Sequence, residues 1–203
     1  MSADRRLTLG DIADLRAYER ERDGFRDRII DLKKRRRIGI GPHITLVFEN
    51  RDTIRFQIQE MARAEKILSD EGIETELAIY NPLIPEPGNL SATLFIELTN
   101  EADLREWLPK LVGIERSIVI RLGGDAGPDP AEVRCVPEEA HAAQLTREEM
   151  TASVHYIRFE FTPTQIGALA AGGATLAVDH PAYQHETPLA AATVTEFLAD
   201  LRP

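Results

Sequence analysis

Cysteine is nearly absent from this chain of 203 residues, in which Cys135 is the only one. A single cysteine excludes an intrachain disulfide, a Cys-x-x-Cys redox pair, a cysteine-rich zinc site and a self-contained iron–sulfur cluster. No apolar run approaches the roughly 18 residues needed to cross a bilayer, and the N-terminal residues lead into no signal-like segment. These absences predict a cytoplasmic protein without a membrane span, which would receive electrons from another protein if it took part in redox chemistry.

Basic residues are outnumbered, since 24 lysines and arginines face 34 aspartates and glutamates and leave a formal net charge of -10. This balance argues against nucleic-acid binding, because phosphate contacts need a local excess of positive charge. Residues 1–37 are the exception, with 12 basic and 8 acidic side chains. The only dense basic run lies at the end of this segment: Lys33, Lys34, Arg35, Arg36 and Arg37. We interpret the run either as a helix C-terminus matched to its dipole or as a docking patch for an acidic partner.

The first 37 residues are predicted to form a helical segment that precedes a single α+β domain at residues 38–203. Tyr18, Phe25, Ile29 and Leu32 recur at helical spacing between charged residues, which predicts one or two helices within residues 9–37. The apolar stripe is too narrow for a central helix, so we expect it to lie on the protein body or on a second copy of the chain. A homo-oligomer, most simply a homodimer, is the predicted state.

The rest of the chain intersperses strand-like and helix-like segments without a clean strand–helix–strand repeat. Strands are predicted at residues 43–48, 92–98, 116–122, 132–136, 153–161 and 174–179. Helices are predicted at residues 52–70, 101–112, 162–171 and 188–201, with a short acidic helix ending near Met150. Several strands alternate apolar with polar residues, which is typical of an antiparallel sheet with one covered face. The predicted fold is therefore α+β, with a mainly antiparallel sheet of about five or six strands and helices packed on it.

Charged side chains interrupt the apolar pattern of the predicted helix 52–70. Glu65 falls on one apolar stripe, and Glu60 and Arg63 lie on a neighbouring one. Buried charges need partners, and residues three apart on a helix can pair. Two interpretations follow: a structural ion pair that fixes the helix to the sheet, or a pocket that binds an anion or a metal. In both, the three side chains are expected to be mostly buried and hydrogen-bonded to one another.

Three histidines lie near the ends or on the faces of predicted strands. His43 begins one strand, His155 shares an apolar strand face, and His180 follows a third strand with Tyr183 close behind. A lone histidine on an apolar face is more often a hydrogen-bonded core residue than a ligand. With a carboxylate of the helix at residues 52–70, the three imidazoles would nevertheless suit a divalent metal, and we predict that His43 and His180 meet at one end of the sheet. No metal or nucleotide motif is present, so no cofactor is assigned beyond this alternative.

Several blocks of the sequence resemble a known family. They are Gly41-Pro42-His43, Phe48-Glu49-Asn50-Arg51-Asp52-Thr53, Phe56-Gln57-Ile58-Gln59-Glu60-Met61, Arg63-Ala64-Glu65, Tyr80-Asn81-Pro82-Leu83-Ile84-Pro85 and Asp179-His180-Pro181-Ala182-Tyr183. These blocks are similar to the bacterial domain-of-unknown-function family thirty-five-oh-one over nearly the whole chain. Members of that family tend to be encoded beside a rubrerythrin-like protein and an iron–sulfur reductase, which implies a role in oxidative-stress or electron-transfer metabolism. The resemblance implies no catalytic residues.

Two functional hypotheses follow, and we favour the first. In the first, the chain is an accessory protein that docks a rubrerythrin-like or iron–sulfur partner through the N-terminal segment and its basic run. In the second, it is an enzyme or a small-molecule- or metal-binding protein with a pocket built from separate segments. The candidate pocket residues are His43, Glu60, Arg63, Glu65, His155, His180 and Tyr183.

Overall fold

The computed structural model of the chain describes residues 5–138 and 150–202. Its helices within these ranges are α1 (Leu15–Arg36), α2 (Arg51–Glu65), α3 (Asp70–Tyr80), α4 (Glu101–Lys110), α5 (Pro163–Ala170) and α6 (Ala191–Leu201). Its strands are β1 (Arg37–Ile40), β2 (Ile44–Glu49), β3 (Asn89–Ile96), β4 (Ile118–Arg121), β5 (Glu132–Arg134), β6 (Val136–Pro137), β7 (Val154–Glu160), β8 (Thr175–His180) and β9 (Tyr183–Pro188). None of the described helices has both the length and the apolar composition needed to cross a membrane.

The strands form two antiparallel sheets. The first sheet has the order β1-β2-β3-β7-β6, and the second sheet has the order β5-β4-β8-β9. All the described pairings are antiparallel, which confirms the predicted α+β class. The strands divide between two sheets, whereas a single sheet was predicted. The chain leaves the second sheet after Arg134 and enters the first sheet at Val136. No hydrophobic pattern reveals such a switch.

The main apolar core lies between the two sheets. Ile44, Leu46 and Phe48 of β2 belong to the same buried cluster as Ile118 and Ile120 of β4. Burying a side chain of this size stabilises the fold by about 1.5–3 kcal/mol relative to exposure. Successive side chains of a strand point to opposite sides of its sheet. The residues of β2 that alternate with Ile44, Leu46 and Phe48 therefore face the outer side of the first sheet. We call this side the outer face.

Helices α1, α2 and α3 cover part of the outer face. Ile54 and Ile58 of α2 pack in one cluster with Leu77 of α3 and with Tyr156 of β7. Asn50 caps the N-terminus of α2, and its side chain accepts a hydrogen bond from a backbone N–H of the first turn. A second, smaller core therefore holds the helices on the sheet.

The apolar stripe of the N-terminal helix packs on the protein body. Tyr18, Phe25 and Ile29 are buried, and the rings of Phe25 and Phe56 of α2 lie 5.6 Å apart. The stripe is thus covered within the chain, which is the first of the two predicted alternatives. This packing within the chain does not test homodimerisation, which stays a prediction.

Three described elements escape the sequence patterns: β1, α3 and β9. The predicted helix 52–70 is interrupted, because Lys66 takes a left-handed backbone conformation that ends α2 and Ser69 then caps α3. Strand β9 returns from β8 through a two-residue turn at Pro181 and Ala182, where only a loop is predicted. The predicted acidic helix before Met150 lies outside the described residues.

Candidate functional site

Glu60, which was predicted to pair on its own helix, faces α1 instead. Its carboxylate accepts hydrogen bonds from the Arg22 guanidinium at 2.8 and 2.9 Å and from the Tyr18 hydroxyl at 2.7 Å. The Arg22 hydrogen bonds, aided by Tyr18, outweigh the effect of burial and lower the pKa of Glu60 to about 2. Glu60 is therefore an ionised link between the two helices.

Arg63 and Glu65 lie at the surface. Arg63 is exposed and pairs with Glu19 of α1, and Glu65 is also exposed. The prediction that these two residues and Glu60 are buried and hydrogen-bonded to one another is wrong. The physical reason is that α1 runs along α2 and supplies the oppositely charged partners, whereas the prediction placed these partners within α2. No described contact brings the three side chains to the histidines.

His180 is held by the backbone. Its Nδ1 accepts a hydrogen bond from the N–H of Ala182 at 3.2 Å, and its Nε2 lies 3.0 Å from the carbonyl oxygen of Val112. Because Nδ1 accepts, Nε2 must carry the proton and donate it to the carbonyl. Both nitrogens of this buried imidazole are thus used in fixing the turn between β8 and β9.

His155 is a core residue of β7. It is 2% exposed, and its Nε2 lies 2.7 Å from the Thr151 hydroxyl and 3.0 Å from the Ala152 carbonyl oxygen. Burial lowers the pKa of His155, because a low-dielectric surrounding disfavours the charged imidazolium. These contacts support the predicted role as a hydrogen-bonded core histidine.

His43 and Tyr183 do come together. The backbone N–H of His43 donates to the Tyr183 hydroxyl at 2.9 Å, and the hydroxyl donates to the carbonyl of Ile40 at 2.7 Å. His180 is the register partner of Tyr183 across the β8–β9 turn, so Tyr183 adjoins both histidines. The strands that carry the two histidines lie in different sheets, and the approach of the two imidazoles to each other stays a prediction. Within residues 5–138 and 150–202, however, no group of three or more His, Cys, Asp or Glu side chains is placed to hold a metal ion.

Part of the predicted basic docking run forms contacts inside the protein. Arg36 is 1% exposed and hydrogen-bonds Glu196 and Asp200 of α6 at 2.7–3.2 Å. Arg35 also bonds Glu196, at 2.8 Å, whereas Lys34 is exposed. The docking prediction is wrong for Arg36 and weakened for Arg35, because α6 presents two carboxylates one turn apart to the end of α1.

A cavity of about 290 Å³ lies between the outer face and the covering helices. Its apolar lining consists of Val47, Ile54, Leu83, Phe95 and Val154. Its polar lining consists of Lys33, Arg37, Glu49, Gln57, Thr93 and the tyrosines Tyr80 and Tyr156. The strand register explains the convergence, because Arg37, Val47, Thr93 and Tyr156 are successive partners across four adjacent strands.

Glu49 is a buried carboxylate in the wall of this cavity. It is 9% exposed, and its two oxygens accept hydrogen bonds from the hydroxyls of Thr93 at 2.7 Å and Thr53 at 2.5 Å. Both bonds come from neutral donors, and among the described residues Glu49 forms no salt bridge. A carboxylate removed from water without a cation carries an uncompensated desolvation cost.

Tyr156 contributes a phenolic hydroxyl to the cavity wall. Burial raises the pKa of Tyr156, and the neighbouring Tyr80 and Glu49 raise it further. The hydroxyl of Tyr156 therefore stays protonated near neutral pH. The cavity combines a carboxylate, phenolic hydroxyls and an amide with aromatic and aliphatic walls.

Cys135, the single cysteine, lies outside this cavity. It is 4% exposed, and its thiol donates to the carbonyl of Glu115 at 3.2 Å. Burial raises the pKa of the Cys135 thiol to about 12. The group is thus a packed thiol and not a nucleophile near neutral pH.

The sequence patterns did not predict most of the residues that line the cavity. Of its polar residues only Lys33 and Arg37 are predicted to be functional, and then for docking. A signal was present at Glu49, because a carboxylate at the end of an otherwise apolar and threonine-containing strand is unusual. Its partners come from other strands and helices, and nothing in local spacing connects them.

The fold and the cavity define a two-sheet α+β protein with a ligand-sized cavity on the outer face of one sheet. The chain belongs to the family described as "Protein of unknown function (DUF3501)", whose model matches residues 6–201. It is similar to the crystal structure of a novel protein of unknown function from Burkholderia pseudomallei K96243, with 38% sequence identity, a TM-score of 0.85 and coverage of 96% of this chain and 98% of that chain. No curated protein matches the chain. The family resemblance is thus confirmed.

Proposed function

We propose that the protein binds a small molecule in the cavity on the outer face of the first sheet. The observation that carries the proposal is the cavity wall, where aliphatic and aromatic side chains meet a buried carboxylate, an amide and two cationic side chains. Ligand sites combine apolar and aromatic walls with polar groups that fix the orientation of the ligand, and a volume of about 290 Å³ is just below their usual range. The proposal is the second of the two sequence hypotheses, with a different set of pocket residues.

The role as accessory protein to a rubrerythrin-like or iron–sulfur partner remains a further proposal, as do the redox or oxidative-stress context, the homodimer and the cytoplasmic location. A docking contact through the end of α1 would use Lys33, Lys34 and Arg37, since Arg36 is buried. Two of these residues also line the cavity, so ligand binding and docking would share part of one surface.

A screen of small polar and aromatic compounds by ligand-observed NMR tests the proposal, with a variant that fills the cavity. Val154→Trp places a large ring in the cavity wall, and Val136→Trp is the matched control, because Val136 is exposed on β6 and does not line the cavity. We expect some compounds to bind the parent and the control but to lose at least tenfold in affinity with Val154→Trp. If every compound that binds does so equally to both variants, the cavity is not the binding site.

A further inference from the structure

The geometry points to a zwitterion as the ligand, with its ammonium group at Glu49 and its anionic group at Lys33 and Arg37. This inference rests on the proposed function and adds the class of molecule to it. It follows from the distribution of charge around the cavity, which has a carboxylate in its wall and two cations from the end of α1 and the start of β1.

The carboxylate end is defined by Glu49. The side chain is nine-tenths buried, and its two oxygens accept hydrogen bonds from threonine hydroxyls. Each oxygen has capacity for a further hydrogen bond. An ammonium group of a ligand would supply both the missing donors and the missing positive charge.

The surroundings of Glu49 also suit a cation. Tyr80 and Tyr156 line the same cavity, and the faces of aromatic rings attract ammonium groups when these are desolvated. A carboxylate beside tyrosine rings suits an alkylammonium group, whereas an anion would be repelled from this end.

The cationic end is defined by Lys33 and Arg37. Arg37 hydrogen-bonds Glu97, which neutralises part of its charge. Lys33 forms no salt bridge within the described residues, and its Nζ lies 5.9 Å from the centre of the Phe56 ring. The ammonium of Lys33 is therefore available to a carboxylate or phosphate group of a ligand.

The two ends are separated by a distance that a small molecule can span. Arg37 is the register partner of Val47, and Glu49 lies two residues further along β2 on the same face, which corresponds to about 7 Å along the strand. Val47 lies between the charges and lines the cavity. A ligand with an apolar body between an ammonium and an anionic group matches this order.

Three compounds with the same ring separate the charge requirements. The zwitterion 4-(aminomethyl)benzoate carries both groups at opposite ends, benzylammonium carries only the cation, and benzoate carries only the anion. By isothermal titration calorimetry we expect the zwitterion to bind at least tenfold more tightly than either singly charged compound. Benzoate binding as tightly as the zwitterion would overturn the role of Glu49, and benzylammonium doing so would overturn that of Lys33.

Two variants assign the charges to side chains. Glu49→Gln should weaken the zwitterion and benzylammonium at least tenfold and leave benzoate unchanged, whereas Lys33→Met should weaken the zwitterion and benzoate only. Tyr156→Leu gives a second reading of the ammonium end if Glu49→Gln does not fold. Glu186→Gln, which removes an exposed carboxylate of β9, is the matched control and should change none of the affinities.

The outcome also distinguishes this inference from the proposed function. Suppose that Val154→Trp weakens the binding of the compounds but neither Glu49→Gln nor Lys33→Met changes their affinities. The cavity is then a ligand site, and the inference that its ligand is a zwitterion is wrong. If Val154→Trp has no effect on any compound, both are wrong.

Discussion

Arg36 and Glu49 are two buried charges that the protein treats differently. Arg36 is 1% exposed and meets two carboxylates, those of Glu196 and Asp200, at hydrogen-bonding distance. Glu49 is 9% exposed and meets only hydroxyl groups among the described residues. A buried charge that the chain neutralises itself belongs to the scaffold, whereas one left without a counter-charge beside a cavity indicates a place for a ligand.

The two carboxylates that contact Arg36 have pKa values shifted in opposite directions. Burial alone would raise the pKa of Glu196, but hydrogen bonds from Arg35 and Arg36 bring it below its ordinary value. For Asp200 burial prevails, and the pKa stays raised despite the hydrogen bond from Arg36. The Arg36 guanidinium thus stabilises the ionised forms of two partly buried carboxylates.

The largest expected effect is that of Arg36→Met. Removing the guanidinium leaves Glu196 and Asp200 without their shared partner, and breaking a buried pair on one side costs about 3–5 kcal/mol in the free energy of unfolding. Urea denaturation measures it, with Lys34→Met as control, since Lys34 is exposed and pairs only loosely with Asp31 at 3.6 Å. Equal midpoints for the two variants would remove the distinction between the two buried charges.

Glu60→Gln is expected to have an intermediate effect. At pH 7 the variant should lose about 1–2 kcal/mol, because a neutral amide removes the negative charge that faces Arg22 and keeps only one acceptor oxygen. The folded-state pKa of Glu60, about 2, lies below the ordinary value of 4.5. The stabilisation is therefore fully present above about pH 4.5 and is lost as the pH falls toward 2. Urea titrations at several pH values should show the parent and the variant converging over this range.

Arg63→Met is the matched control for Glu60→Gln. Arg63 lies on the same helix and pairs with α1, but this pair is exposed, so its loss should cost no more than about 0.2–1 kcal/mol. A loss at Arg63 as large as that at Glu60 would mean that the α1–α2 contact depends on total charge and not on the partly buried pair.

The fold could be predicted to the extent that it is local. The stripe of Tyr18, Phe25 and Ile29 and the alternation around Phe48 reflect periodicities of single elements, and these predictions are confirmed. The division into two sheets could not be predicted, because it depends on strand pairing between distant segments. Strand β1 is also too short, at four residues, for alternation to separate it from the end of α1.

The candidate site was less predictable than the fold. The charges of α2 were assigned to one another because helical spacing reports only neighbours on the same helix, whereas Glu60 and Arg63 pair with residues some 40 positions earlier in the chain. The histidines are candidate ligands by residue type alone, but the ring nitrogens of His155 and His180 form hydrogen bonds with neighbouring groups. At Glu49 the informative feature is the absence of a counter-charge among the described residues, which only the three-dimensional arrangement can show.

The smallest expected effect on stability is that of Glu49→Gln, and it sharpens the comparison most. The amide keeps an acceptor for one threonine hydroxyl and removes a buried charge that no described cation compensates, so the lost hydrogen-bond strength and the relieved desolvation should nearly cancel. In urea denaturation without ligand, we expect the variant to lie within about 1 kcal/mol of the parent. With 4-(aminomethyl)benzoate at about 100 times its dissociation constant, the parent should gain about 2.7 kcal/mol and the variant much less. A loss comparable to that of Arg36→Met in the absence of ligand would show that Glu49 is part of the scaffold after all.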